Sequence, residues 1–227
     1  MSQTHVLHPN GPRVPPDQLA RFERVAQCLS ASCVFADVQG RAGVMHSSIK
    51  PPFRGKLFGS AVTVRLVPGD LQDPLAAIDI AEPGDVIVVD AGGDTEVSVC
   101  GGLMGGLAKN RGIRGMVIDG AGRDVDELRE LGWPIFTRAI TARGTHTMFS
   151  GRKNDVSVNV PIVCGGVLVH PGDLIVADEI GITVIPRGDA ERVIALAAEQ
   201  AEREQRTREQ VAKGRNIAQI LEEFGRI

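Results

Sequence analysis

The feature that most constrains this chain is an apolar run ending in aspartate, followed by glycines and then a second such run. It spans Val86 to Asp124 and reads VIVVDAGGDTEVSVCGGLMGGLAKNRGIRGMVIDGAGRD. Val86–Val89 and Met116–Ile118 are short, β-branched and closed by Asp or Gly, which predicts two buried strands of one sheet. About 25 residues lie between them, enough for a right-handed crossover through one helix, placed over Val97–Lys109. Ligands of open α/β sheets gather at the carboxyl ends of strands, so residues 90–94 and 120–124 are predicted to meet at the functional edge.

At 227 residues and 43% hydrophobic content, the chain can bury one proper core. The expected organisation is an arm over residues 1–16, one α/β domain over 17–187, and C-terminal helices over 188–227 that contact neighbouring subunits. A net charge of −3 leaves no electrostatic footprint for nucleic acid or an anionic membrane. The absence of tyrosine and the single tryptophan argue against stacking on bases. No apolar run approaches the ~20 residues of a membrane span, and the first residues lack a signal-peptide core, so a cytoplasmic protein is expected. Cys28, Cys33, Cys100 and Cys164 form no Cys-x-x-Cys pair and are expected to be reduced thiols.

In chain order, the proline-rich arm carrying His5 and His8 is expected to be loose or to strap a neighbour. Leu19, Phe22, Val25, Ala26 and Leu29 have helical spacing, which predicts a first helix over Asp17–Ser30. Cys33–Val38 and Phe58–Leu66 read as strands, with a long loop between them carrying His46, Ser47, Ser48, Lys50 and Arg54. Three Pro-Gly-Asp triplets, beginning at Pro68, Pro83 and Pro171, predict type II turns. A short helix over Val125–Leu131 and a strand over Pro134–Arg138 follow. The stretch from Ile140 to Asn159 is polar, with Arg143, Gly144, Thr145, His146 and Gly151. From Val160 the pattern becomes a β-meander, with Cys164-Gly165-Gly166 as a bulge or turn. Residues 188–213 form a long, increasingly polar helix, and Asn216 with Gln219 makes a capping box for a final helix. The apolar face of that helix (Ile217, Ile220, Leu221, Phe224) is expected to dock on a sister subunit.

Three readings compete for the glycines. A dinucleotide or methyl-donor site would need a G-x-G-x-x-G opening a helix within a few residues of the strand, which is absent, and an acid ending a clearly placed next strand to bind ribose, for which no residue stands out. Close packing of a helix on the sheet accounts for Gly105 and Gly106, but less well for Gly101 and Gly102. A helix start presenting backbone N–H groups to a carboxylate or phosphate is the third. Arg123-Asp124 favours it, since a guanidinium holds a carboxylate or a developing enolate and an adjacent carboxylate suits Mg²⁺. An ion pair at a helix start is the bland alternative.

The block GlyLeuMetGlyGlyLeuAlaLysAsnArgGlyIleArgGlyMetValIleAspGlyAlaGlyArgAspValAsp, with GluLeuGlyTrpProIlePhe at 130–136 and AsnValProIleValCysGlyGlyValLeuValHisProGlyAsp at 159–173, resembles one family. It contains the regulator of ribonuclease activity A and the 4-hydroxy-4-methyl-2-oxoglutarate/4-carboxy-4-hydroxy-2-oxoadipate aldolases. The resemblance implies a ββα swivelling-domain-like α/β sandwich with a central mixed sheet, an N-terminal helix and a long C-terminal helix. It further implies trimers or hexamers with sites between subunits, and Mg²⁺- or Mn²⁺-dependent cleavage of a 4-hydroxy-2-oxo acid to pyruvate or decarboxylation of oxaloacetate. Carried over by residue, Asp124 would ligate the metal and Arg123 would steady the enolate oxygen. The Gly101–Met104 segment, through amides near Leu103 and Met104, would bind the 2-oxo acid's carboxylate, and a neighbour's Glu204 would approach. The aldolases carry an acid twenty-one positions before the arginine, where this chain has Gly102. Asp94, Glu96 and Asp119 are the candidates to replace it, and Gly102→Asp is expected to restore it. A non-catalytic regulator, which binds a ribonuclease or helicase, and a lyase for another hydroxy acid are the alternative functions.

Overall fold

The computed structural model describes residues 8, 11–145 and 156–225, so His5, His146 and Gly151 lie outside the described residues. In chain order the elements are α1 (Pro16–Val25), α2 (Ala31–Val38), β1 (Leu57–Arg65), α3 (Gln72–Ile80), β2 (Val86–Asp90), β3 (Ser98–Cys100), α4 (Gly102–Asn110), β4 (Gly115–Gly122), α5 (Val125–Leu131), β5 (Ile135–Ile140), β6 (Ile162–Cys164), β7 (Val167–Val169), β8 (Leu174–Ala177), β9 (Ile182–Ile185), α6 (Ala190–Ala212) and α7 (Ile217–Phe224).

Seven strands form one mixed sheet. β2 lies parallel to β1 and β4, with Val86 opposite Gly115 and Asp90 opposite Asp119. β4 also pairs in parallel with β5 along its length and with β3 at Ala121 and Gly122. β8 and β9 extend the β1 edge antiparallel. The continuous apolar runs of β2 and β4 follow from cover on both faces. Ile87, Val89, Met116 and Ile118 pack with Leu128 and Trp133 under the helices of one face. Val86, Val88, Val117 and Phe136 pack under the β6–β7 hairpin on the other. A third cluster holds α1, α2 and α6 over β8 and β9 through Phe22, Phe35, Val176 and Val193.

Several expectations are met: strands at 57–65, 86–90 and 115–122, the helix after Asp124, the long helix, and the capping box at Asn216. The meander expected from Val160 is instead two hairpins, β6–β7 in a sheet of its own and β8–β9 on the edge of the large sheet. All three Pro-Gly-Asp glycines have positive φ. Others need correction. Cys33–Val38 is helical, not a strand. Ser32, Phe35 and Ala36 share its buried side, and Asp178 accepts hydrogen bonds from Ser32 N (3.0 Å) and Oγ (2.7 Å) in the first turn. The first helix therefore ends at Val25, and Ser30 takes left-handed backbone between the two. The crossover helix starts at Gly102 rather than Val97, because Ser98–Cys100 is taken up by β4. Periodicity over 72–80 is weak; α3 is tied down from outside, with Asp73 accepting from Ser157 N at 2.9 Å. The end of the arm straps its own chain: Val14 is buried, and Arg13 Nη2 donates to the buried Asp85 carboxylate at 2.7 Å. α7 buries Ile220 and leaves Ile217 and Leu221 exposed.

Candidate active site

β4 runs out at Gly122, where Arg123 N donates to Cys100 O at 2.9 Å and holds the ends of β3 and β4 together. Asp124 then adopts φ 53° and ψ 42°. A non-glycine residue in left-handed backbone carries a cost of order 1 kcal/mol, and such residues concentrate at functional sites. The turn aims the carboxylate back at α4: Oδ2 accepts from Gly102 N at 3.1 Å and lies 3.5 Å from Arg123 Nε. Among the described residues no hydrogen bond is directed at Oδ1. The two side chains retain 44% and 38% exposure, so both charges can meet a ligand.

Helix α4 opens beside them. Its internal bonding begins with Gly105 N donating to Gly101 O at 2.9 Å, and the amides of Leu103 and Met104 precede that bond. Such first-turn amides attract anions. Leu75, Cys100, Gly101, Met104, Arg123 and Asp124 lie among the walls of a cavity of about 260 Å³ between α3 and α4. Burial pushes the Cys100 thiol up to about 12, and the Asp124 charge adds to it, so Cys100 is a neutral wall of the cavity.

The paired glycines have a specific cause. A Cβ on Gly101 would lie 2.3 Å from Asp124 Oδ2, and one on Gly102 would lie 1.9 Å from Glu127 Oε2 and 2.9 Å from Glu127 Cβ. The space above the helix start is filled by two carboxylates from the next βα turn. Close packing does explain Gly105, whose Cβ would strike Leu128, but Gly106 faces open space.

Glu127 is the residue that sequence reasoning missed. It lies one helical turn beyond Asp124, in the first turn of α5, where an acid reads as an ordinary partner of the helix dipole. The available signal was the conjunction of a glycine at 102 with Arg-Asp-x-x-Glu. The three substitutes expected for the acid at 102 are engaged elsewhere. Asp94 caps a turn at Glu96 N, Glu96 lies 3.7 Å from Arg143, and Asp119 bonds Arg138 on the opposite sheet face. A side chain introduced by Gly102→Asp would compete with Glu127 for that volume.

Arg123, Asp124, Gly101, Gly102, Leu103 and Met104 are thus brought together. Glu204 is not: in the same chain it accepts from Gln200 (2.8 Å) and Arg208 (2.6 Å) on α6 and lies near Cys28. Among the described residues no group of three or more His, Cys, Asp or Glu side chains converges to hold a metal ion. No helix among them is long and apolar enough to cross a membrane.

Comparison with known proteins gives a consistent result. The RraA-like family, described as Aldolase/RraA, matches residues 23–184. A protein of Halalkalibacterium halodurans, named "Putative 4-hydroxy-4-methyl-2-oxoglutarate aldolase", is 41% identical over 182 residues, 79% of this chain and 84% of its own length. The 4-hydroxy-4-methyl-2-oxoglutarate aldolase of Thermus thermophilus is 38% identical over 103 residues, 45% of this chain and 60% of its own. Among solved structures, Streptomyces coelicolor RraAS2 is described as an unusual member of the RNase ES inhibitor RraA protein family. It superposes with a TM-score of 0.71 at 27% identity, covering 88% of this chain and 99% of that one.

Proposed function

This chain belongs to the Aldolase/RraA family, and from that premise we propose that it is a divalent-metal-dependent carbon–carbon lyase releasing pyruvate from a 4-hydroxy-2-oxo acid. Decarboxylation of oxaloacetate is the same bond cleavage with CO₂ as the departing fragment. The observation that carries the reading is the carboxylate pair over the α4 start, where Asp124 and Glu127 fill the spaces left by Gly101 and Gly102. In this reading Glu127 of α5 takes the place of the acid that the family resemblance implies at 102.

In the retro-aldol step, the C4 hydroxyl loses its proton as the C3–C4 bond breaks and C4 departs as a carbonyl. The bonding pair moves to C3 and onto the 2-oxo oxygen, and a proton returned to C3 completes pyruvate. The first-turn amides of Leu103 and Met104 hold the substrate carboxylate, as free N–H groups at a helix start do. The Arg123 guanidinium faces the oxygen that gains charge, where a fixed cation acts most strongly. Glu127 orders water above Gly102, and Glu204 of a neighbouring copy serves as the proton acceptor. Asp124 suits Mg²⁺ or Mn²⁺, since one carboxylate oxygen is committed to Gly102 and the other is open to a hard cation that keeps most of its waters. Such an ion supplies Lewis-acid stabilisation of the developing negative charge.

The test is a lactate-dehydrogenase-coupled assay of oxaloacetate and 4-hydroxy-2-oxo acids with Mg²⁺ or Mn²⁺. Pyruvate should form, stop on chelation and be lost in Asp124→Ala. A flat trace across the panel would end the lyase reading. The intersubunit role of Glu204 requires a trimer or hexamer, so light scattering should give a multiple of the 24.1 kDa chain mass. A second reading, a non-catalytic regulator of a ribonuclease, draws on the description of RraAS2 and requires capture of such an enzyme by the Asp124→Ala protein. The Asp124 and Glu127 carboxylates placed together at the α4 start favour the lyase.

A further inference from the structure

The cavity between α3 and α4 has two walls of different construction. Arg123, Asp124 and the α4 start are carried by β3, β4 and the turn into α5. Leu71 and Leu75 on the α3 side belong to a helix whose N-cap, Leu71, gives it no side-chain cap. Asp73, in the first turn and fully buried, accepts from Val67 N at 3.3 Å and from Ser157 N at 2.9 Å. Ser157 lies in a short run that is itself held: its carbonyl accepts from Arg65 N at 3.0 Å, and Asn159 N donates to Thr63 O at 2.8 Å. Val156 and Val158 of that run belong to the core cluster on which Leu71 and Leu75 pack. Asn159 closes the run with φ 55°, a left-handed backbone that Asn tolerates better than most residues. Its side chain is buried, and Nδ2 donates to His8 O at 2.6 Å in the N-terminal arm. The arm is fixed again further on, where Pro12 O fills the space a Cβ would need at Gly172 and Arg13 pairs with Asp85.

We propose that Asn159 is a positioning residue for this cavity. It ties the arm to the 156–159 run, and that run, through Asp73 and the shared core, holds α3 and its two leucines at the spacing a ligand meets. The proposal rests on the lyase reading only for what fills the cavity. Loosening the clamp should weaken binding and leave the chemical step alone, because Arg123 and Asp124 stand on the other wall.

Two variants of the full chain test it. Asn159→Asp keeps the shape and the left-handed backbone but cannot donate to His8 O, and Asn159→Gly keeps the backbone alone. Hydrogen exchange read by mass spectrometry should show the amides of 72–80 exchanging about fivefold faster in both, the scale of one lost hydrogen bond, with those of β4 unchanged. Equal acceleration across the chain, or none in α3, overturns the proposal. In the coupled assay with MgCl₂, KM for pyruvate release should rise about fivefold with kcat held within about twofold. A fall in kcat at unchanged KM overturns it as well. If Asn159→Gly fails to fold, the isosteric Asn159→Asp carries the same measurements. If the unaltered protein releases no pyruvate from any 2-oxo acid, the lyase reading falls, and the exchange of α3 still decides the clamp.

Discussion

β4 and the turn that follows it contribute to two arginine–aspartate pairs, and the pairs are built for opposite ends. Asp119 and Arg138 lie on the face beneath the β6–β7 hairpin. Asp119 also accepts from Gly165 N at 2.6 Å, and Arg138 donates to Ser48 Oγ at 2.6 Å. The Asp119 side chain is 9% exposed, and the hydrogen bond to it raises the Arg138 pKa further. That network pins the hairpin turn and the 44–50 loop to the sheet. The pair at Arg123 and Asp124 is looser, holds Asp124 in left-handed backbone and stays open to a cavity. The same two charges therefore serve as a closed staple on one face and as an unsaturated site on the other. The largest expected effect tests the open pair. Asp124→Ala should lower kcat/KM for pyruvate release by about 10³-fold, roughly 4 kcal/mol of transition-state stabilisation. Its unfolding free energy should change by no more than about 1 kcal/mol, since one hydrogen bond from Gly102 is lost.

Asp119→Ala should behave in the reverse way. It strands Arg138 and the Gly165 amide, at a cost of about 3 kcal/mol, the low end for a broken buried pair because Arg138 is still 22% exposed. Urea denaturation with unchanged slope would measure it. A stability loss smaller than that of Asp124→Ala would dissolve the contrast between the pairs. Gly102→Ala comes next. Its Cβ would lie 2.9 Å from Glu127 Cβ, which side-chain rotation cannot clear, so α4 and α5 must part slightly; stability should fall by about 1–2 kcal/mol while activity falls roughly tenfold. Gly102→Asp combined with Glu127→Ala should recover activity relative to either single change, a non-additivity expected of neighbours sharing one volume. Additive losses would remove Glu127 from the site.

The legibility of these features in the sequence follows from their range. β2 and β4 are readable because strands covered on both faces need uninterrupted β-branched runs, and the Pro-Gly-Asp turns because φ is set locally. Arg123-Asp124 is readable as adjacent letters after a strand. Cys33–Val38 misleads because Val34, Phe35 and Val38 favour strands by type, and Asp178, 146 residues distant, decides for a helix by holding Ser32. Glu127 hides for a related reason. Its meaning depends on Gly102, twenty-five positions earlier, and only the packing of α4 on α5 joins them. The closed pair is equally hidden, since nothing near Asp119 in the sequence announces Arg138 and Ser48 together.

Each pair has a buried thiol beside it, and this permits the finest comparison. Cys100 stands near Asp124 and Cys164 near Asp119, and burial is the main reason both thiols titrate well above their ordinary value of 9.0. The sign of the linkage is fixed by that direction. Well below pH 9 both folded and unfolded chains keep the protons and stability is unaffected. As pH rises past 9 the unfolded chain releases protons that the folded chain retains until about 12 for Cys100, so stability falls. Between pH 8.5 and 9.5 each thiol should contribute roughly 0.7 kcal/mol to the fall. Cys100→Ala and Cys164→Ala should therefore flatten the denaturation midpoint against pH to the same small extent, whatever their separate costs at neutral pH. If only Cys164→Ala flattens the curve, water reaches Cys100 in the folded protein. The cavity around the open pair would then be wetter than its apolar lining requires.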